Sequence, residues 1–302
     1  MKTLALLILS AVSVLATAGE YEDGVAASDK GNHTRAVKLW RPLAEHGNAA
    51  AQNNLGLKLA EGHGVQQDYK EALKWFRLAA AKGYAAAQNN LGVAHYLGQG
   101  VPQDLQEALR WYRLAATKGS PNAQYNLGFI YEEGRGVQQD YKEALKWYRL
   151  AAAQGYAAAQ SDLGLMFAEG RGVQQDYKEA LKWFRLAIAQ GYAAAQNNLG
   201  LMFAKGHGVQ QDRKEALKWY RLAAAQGDAA AQYNLGTQYR YHQGIFPDYV
   251  RSHMWFNLAA ARGNTKAAMQ RENIAKKMTT NQIDEAQRLA RECSTRNFKD
   301  CD

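Results

Sequence analysis

The sequence predicts an all-α fold, a right-handed α-solenoid of stacked αα-hairpins, on three observations. A 36-residue block recurs six times in register. Leu-Gly falls at Leu55-Gly56, Leu91-Gly92, Leu127-Gly128, Leu163-Gly164, Leu199-Gly200 and Leu235-Gly236, and tryptophan keeps the same step from Trp75 to Trp255. The chain holds only 4 prolines in 302 residues, and its apolar residues return at helical spacing, as helices with one buried face require. Each block ends one helical pattern on glycines and opens the next on an aspartate: Asp68, Asp104, Asp140, Asp176, Asp212 or Asp248. A period of roughly 20–50 residues marks units that cannot bury a core alone and must stack. One array is therefore expected rather than two globular domains.

Residues 1–18 stand apart. A short basic start at Lys2, an apolar run from Leu4 to Leu15 and the small residues Ala16-Thr17-Ala18 read as a secretory signal cut before Gly19. The run is shorter than the ~20 apolar residues of a membrane span, and no later segment approaches that length. No cysteine sits at the cleavage site to carry a lipid. An exported chain, periplasmic or secreted and without a transmembrane segment, is expected.

Residues 19–47 form a divergent first hairpin, the N-terminal cap. Ala36 aligns with Ala72 and Trp40 with Phe76. Pro42 replaces a leucine, and the second helix is expected to bend or break there. Residues 48–263 hold the six repeats, and residues 84–119 show the unit. Ala85 to Leu97 is the first helix, with Ala87, Leu91 and His95 on one stripe. Gly92 costs a helix interior roughly 1 kcal/mol against alanine, so a neighbour close enough to exclude a Cβ is expected beside it. Gly98 to Gln103 makes the turn. Asp104 and Glu107 have the type and spacing of a capping box, repeated at Asp68/Glu71, Asp140/Glu143, Asp176/Glu179 and Asp212/Glu215.

On the second helix, Ala108, Trp111, Leu114 and Ala115 are expected to face the first helix and the next unit, with the tryptophans as core. Gly119 ends that helix. The slot after it holds Asn48, Tyr84, Ser120, Tyr156, Tyr192, Asp228 and Asn264. Its tyrosines are not caps; either they pack across the inter-repeat turn or they form an exposed aromatic row. In the sixth copy a turn glycine is lost near Gly244, and Arg251 replaces the capping glutamate. Residues 264–302 read as C-terminal capping helices and a tail, with Thr279 and Gln282 capping the last helix. Cys293 and Cys301, the only cysteines, can close a small loop in an oxidising compartment. Free thiols and an intermolecular bridge are the alternatives.

The composition argues against chemistry. No two of the 7 histidines form a metal-ligand pair at helical spacing, and no nucleophile elbow, phosphate loop or dinucleotide fingerprint occurs. The recurring Asp-Glu pairs have a capping explanation. No catalytic, metal or cofactor residues are therefore expected. The net charge of +9, or +8 once Lys2 leaves with the signal, points in an exported chain to anionic envelope surfaces rather than nucleic acid, or simply to a solvated basic face.

The motifs of Ala87 to Gly119 resemble the Sel-one-like repeat family, relatives of the tetratricopeptide repeat. They match its Ala-x-x-x-Leu-Gly, its Gly-x-Gly-Val turn, its Asp cap, its Ala-x-x-Trp followed by an aromatic, and its Ala-Ala-x-x-Gly. The resemblance spans Gly31 to Gly263 and extends to the closing helices. It implies a tetratricopeptide-like superhelix and a bacterial scaffold that binds other proteins in envelope signalling or host contact. Cysteine-rich members are described as weak penicillin-binding or β-lactamase proteins; the repeats here carry no cysteine, which weakens that transfer.

Two ladders remain for function. The residue before each Leu-Gly is Asn54, Asn90, Asn126, Asp162, Asn198 or Asn234. By analogy with tetratricopeptide grooves, these asparagines can hold the backbone of an extended peptide; equally they can satisfy carbonyls of the adjacent hairpin. One turn further the residue varies, and Met166 and Met202 offer an adaptable apolar floor. The second ladder is Arg77, Arg113, Arg149, Arg185 and Arg221, either an outer face paired with nearby glutamates or a stripe toward an anionic surface. The expectation is a monomeric scaffold with a protein or peptide partner in its groove. The alternatives are a β-lactamase-like hydrolase and an adhesin for anionic envelope glycan.

Overall fold

The computed structural model describes residues 19–240, 247–298 and 301. The proposed signal and the altered turn near Gly244 lie outside the described residues. Among those described there are helices and turns only. A helix over residues 19–29 (α1) precedes α2 (His33–Glu45), α3 (Ala49–Glu61), α4 (Tyr69–Ala81), α5 (Ala85–Leu97), α6 (Leu105–Thr117), α7 (Pro121–Glu133) and α8 (Tyr141–Ala153). Then follow α9 (Ala157–Glu169), α10 (Tyr177–Ala189), α11 (Ala193–Lys205), α12 (Arg213–Ala225), α13 (Ala229–Arg240), α14 (Tyr249–Ala261), α15 (Thr265–Ala275) and α16 (Thr280–Thr295). Two compact units divide at Ala151 and Ala152. Odd-numbered helices from α3 to α13 are the first helices of their repeats, and even-numbered ones from α4 to α14 the second.

Local chemistry sets each boundary. First helices end on a glycine in the left-handed region, such as Gly98 at φ 71°, and a second turn glycine follows, Gly100 at φ 72°. A Cβ on Gly100 would lie 2.9 Å from Tyr69, so the turn can close onto the previous second helix only without one. The turn glutamines complete the stop. Gln103 Nε2 donates to Tyr96 O at 2.7 Å, and Gln67, Gln139, Gln175 and Gln211 repeat the bond. Asp104 then caps α6 by accepting from the Gln106 and Glu107 amides, both at 3.0 Å.

The expected capping box forms only half its bonds in the repeats. The Asp104 amide, which Glu107 was expected to receive, donates instead to His95 O at 2.9 Å, and Asp68, Asp140, Asp176 and Asp212 do likewise. With that donor satisfied, the glutamates pair with cations, as Glu179 does with Lys182 at 2.6 Å. The reciprocal box is complete at Thr279 and Gln282, ahead of α16. Pro42 does not break α2, which runs on to Glu45 while Pro42 O accepts from the His46 amide.

The core differs from expectation in one respect. The deeply buried aromatic is the residue after each tryptophan: Phe76, Tyr112, Tyr148, Phe184, Tyr220 and Phe256, all between 0% and 4% exposed. Each ring lies against the glycine of a Leu-Gly pair. A Cβ on Gly92 would sit 2.6 Å from Tyr112 Cδ1, and one on Gly164 2.6 Å from Phe184 Cε1. Trp75 and Trp255 are buried, but Trp111, Trp147, Trp183 and Trp219 are only half-buried. Leu114, expected inside, is exposed, as are Leu78, Leu186 and Leu222. At 100° per residue, the aromatic one place after the tryptophan points at the first helix, and the tryptophan and leucine fall to the edge of that face.

Repeats are joined by polar bonds as well as apolar contact. Gln52, Gln88, Gln124, Gln160 and Gln232 each donate to a carbonyl at the end of the preceding second helix, eight residues back. Lys118 Nζ reaches Gly83 O at 2.7 Å. The slot tyrosines are half-buried, and Tyr84 packs on the core of its unit.

Helix α16 closes the second unit. Its Ala290 and Cys293 share an apolar cluster with Trp255 and Leu258 of α14. Cys293 and Cys301 are joined in a disulfide, and the Arg262 guanidinium lies 4.3 Å from the Phe298 ring centroid.

Within α14, His253 is 4% exposed. Burial, and then the Arg271 charge, hold its pKa below the ordinary histidine value. The unfolded chain therefore takes up this proton near pH ~6.5 while the folded chain does not. The stability this group leaves intact above about pH 6.5 is lost as pH falls below it. The urea midpoint should drop between about pH 7.5 and 5.5, and drop less in His253→Leu. Equal slopes in the two proteins would refute the assignment.

Candidate functional site

Helical periodicity places each Leu-Gly leucine and glycine inward, so the residue before the pair and the residue after it fall at the edges. Those edge residues line a cleft between successive first helices. In the first unit Val93, Tyr96 and Leu97 of α5 face Asn126, Phe129 and Ile130 of α7 across a cleft of about 320 Å³. In the second unit the positions 72 residues on, Leu165, Ala168 and Glu169 of α9 and Asn198, Leu201 and Met202 of α11, line another of about 320 Å³. A smaller one, about 190 Å³, lies between α1 and α3 with Asn54, Leu57 and Lys58 on its wall.

The clefts share a frame and differ in chemistry. The α5–α7 cleft is aromatic. Tyr96 and Phe129 meet edge to face at 6.5 Å, and Arg135 donates to Tyr96 Oη at 2.8 Å while lying 5.6 Å from the Phe129 ring centroid. Beneath them Tyr112 is buried, and desolvation, with Tyr96 nearby, pushes its hydroxyl well above the usual tyrosine range. The α9–α11 cleft carries Glu169, Lys205 and His207, and His207 stacks on Tyr177 at 4.6 Å.

The asparagine ladder lies along these clefts and is largely spent on the neighbouring repeat. Asn90 Nδ2 donates to Asn53 Oδ1 at 2.9 Å, Asn126 to Asn89 at 2.9 Å and Asn234 to Asn197 at 2.8 Å. Asn53 in turn donates to Asn54, and Asn54 to Tyr21 Oη. Asp162 lies near Tyr192, whose hydroxyl is raised first by burial and then by that carboxylate. Met202 lines its cleft at 4% exposure, whereas Met166 is fully buried. In the arginine ladder, Arg113 and Arg221 donate to Tyr131 and Tyr239 hydroxyls at 2.9 and 3.0 Å.

No group of three or more potential metal ligands occurs among the described residues, and none of their helices is long and apolar enough to cross a membrane. The residues missed from sequence are Val93, Tyr96, Leu97 and Phe129. A signal existed: Tyr96-Leu97 stands where other copies read Ala-Glu, Glu-Glu, Ala-Lys or Arg-Tyr.

A family model described as Sel1 repeat matches seven times in unbroken succession, over residues 15–48, 49–84, 85–120, 121–156, 157–192, 193–228 and 229–264. The chain belongs to the Sel1 repeat family. Its first match covers the hairpin set apart above as an N-terminal cap. The fold is that of an all-α Sel1 repeat solenoid. A Sel1 repeat protein from Oxalobacter formigenes is 33% identical with a TM-score of 0.72, over 80% of this chain and 96% of that one. A protective antigen of uropathogenic Escherichia coli with the same kind of fold is 26% identical over 94% of this chain and 85% of that one, at a TM-score of 0.48. An immunity protein from Pseudomonas aeruginosa is 22% identical over 70% and 81%, also at 0.48. No curated protein matches the sequence significantly. A Sel1 repeat scaffold suits protein–protein interaction in general, and such scaffolds are typically not enzymes.

Proposed function

We propose that this Sel1 repeat protein is an exported scaffold that binds a protein partner through the clefts between its first helices. The observation that carries the reading is the recurrence of one cleft frame with different linings. The α5–α7 cleft offers aromatic walls and an arginine, suited to an apolar side chain with an acidic neighbour. The α9–α11 cleft offers mixed charge. The ladder asparagines serve as rim and frame. Replacing one by alanine strands a buried partner such as Asn89, 7% exposed, at a cost of about 1–3 kcal/mol, so that change confounds binding with stability.

Phe129 and Tyr96 are the cleaner probes. A photocrosslinking amino acid at position 129 should capture a defined envelope protein that the same group at exposed Lys142 does not. Tyr96→Ala should abolish that capture while leaving helicity unchanged. Identical products from both positions would sink the reading. Export is tested on the same material, where Gly19 should be the first residue of the mature chain; a mature chain that keeps Met1 overturns it.

A further inference from the structure

The second helices carry an apolar stripe that the cleft reading leaves unused, and the chain itself shows what fits on it. On α14 the stripe is Trp255 and Leu258, 2% and 6% exposed. It is covered by α16, whose Leu289, Ala290 and Cys293 join the same cluster. The same positions on α12 and α10 are Trp219 with Leu222 and Trp183 with Leu186. There the leucines are 44% and 49% exposed and the tryptophans half-buried.

The covering helix defines the complementary surface. The apolar residues that α16 buries or half-buries are Ile283, Ala286, Leu289, Ala290 and Cys293, and the last four follow the i, i+3, i+4, i+7 spacing of one narrow face. Its small residues Ala286, Ala290 and Cys293 are 0–3% exposed, and Leu289 lies in the same apolar cluster as Trp255 and Leu258. The flanks of the open stripe are basic. Helix α10 sets Lys178, Lys182 and Arg185 against Glu179, and α12 sets Lys214, Lys218 and Arg221 against Glu215. Those glutamates already pair with Lys182 and Lys218. A second copy of this chain, with a net charge of +9, or +8 once Lys2 leaves with the signal, would bring like charge to that surface.

We infer that the Trp–Leu stripe of α10 and α12 docks an amphipathic helix of a partner protein, one with an Ala/Leu seam and acidic flanks, seated as α16 is on α14. The mode is a helix laid along an apolar face, read by anchors at helical spacing.

The probe is a fluorescein-labelled peptide of residues 279–296 with Cys293→Ser, Arg288→Glu and Arg291→Glu, which keeps the seam and makes the flanks acidic. Fluorescence anisotropy against the full chain should show saturable binding that weakens as salt screens the flanks. Leu186→Glu with Leu222→Glu should weaken it roughly tenfold or more, since two charges then enter an apolar contact. Both leucines are already exposed, so circular dichroism should be unchanged. Tyr96→Ala, which tests the cleft, should leave peptide affinity alone, so the two readings fail separately. Absence of saturable binding, or equal affinity in the leucine variant, overturns the proposal. The latter is the result if the peptide merely displaces α16. A dimer by light scattering that the leucine variant abolishes overturns the choice of occupant.

Discussion

Phe184→Ala should destabilise the second unit by roughly 3–5 kcal/mol, the range for emptying a buried aromatic site, whereas Trp183→Ala should cost about 1–2 kcal/mol. Tryptophan is the larger residue and the one whose regular step is easiest to see. Phe184 nevertheless has 1% of its surface exposed and its ring edge sits on Gly164. Removing it opens a cavity between α9 and α10, beneath the cleft that Phe184 lines together with Met202. Trp183 is half-buried, so truncation there removes less area from cover and leaves a notch that water can enter. Urea unfolding followed by circular dichroism decides. A loss for Trp183→Ala equal to or above that for Phe184→Ala would show that the core aromatic has been misassigned.

The second large effect is expected at the glycine itself. In an open helix, exchanging Gly for a residue with a Cβ usually helps, by up to about 1 kcal/mol for alanine. At Gly164 the sign reverses. A Cβ would lie 2.6 and 2.7 Å from Phe184 ring carbons and 3.2 Å from Ala180 O. The ring is buried at 1% exposure, and the carbonyl belongs to α10 backbone. Gly164→Val adds a branch to that overlap, so a loss of about 3 kcal/mol or more is expected, at or above the upper end for overpacking. The two substitutions share one site and should not add. With Phe184→Ala present, the valine has room, and its extra cost should nearly vanish. Additive losses in that double-mutant cycle would mean the glycine is kept for another reason.

These two residues show how far the sequence could be read. A glycine in mid-helix six times over demanded a close neighbour, and one is there. Which residue approaches was not legible, because Trp and the aromatic after it both recur with the same step. Only the rotation between α9 and α10 separates them. The turns were read correctly as turns, but the bond from the Asp104 amide to His95 O joins residues nine apart through a loop whose path local spacing does not encode. The reciprocal capping bond was therefore expected where the chain had already supplied a partner. The asparagine ladder was visible as a pattern, and its partners one repeat back were one of the two uses considered. The cleft walls were hidden for the opposite reason. Tyr96 has no like residue in its slot. Val93 and Phe129 share one that is apolar in five copies, with Leu57, Leu165 and Leu201, where a cleft wall reads like core. A search for constancy passes over both.

The bonds that join one repeat to the next span fixed distances along the chain. Asn90 to Asn53, Asn126 to Asn89 and Asn234 to Asn197 each bridge 37 residues. Lys82 to Gly47 and Lys118 to Gly83 each bridge 35. Such a seam does not register which copies it joins. Where the paired residues match, a copy could be exchanged for another, the seam would close with the residues it uses now, and only the order of the clefts would change. Elsewhere the pair itself changes, as where Gln190 and Gln226 take the lysine slot and donate to Gln160 and Gln196 at 2.9 Å. The chain thus separates the grammar of its assembly from its vocabulary. Recombination between copies whose seam residues match can rewrite what is recognised, in blocks of 36 residues, without renegotiating what holds those copies together.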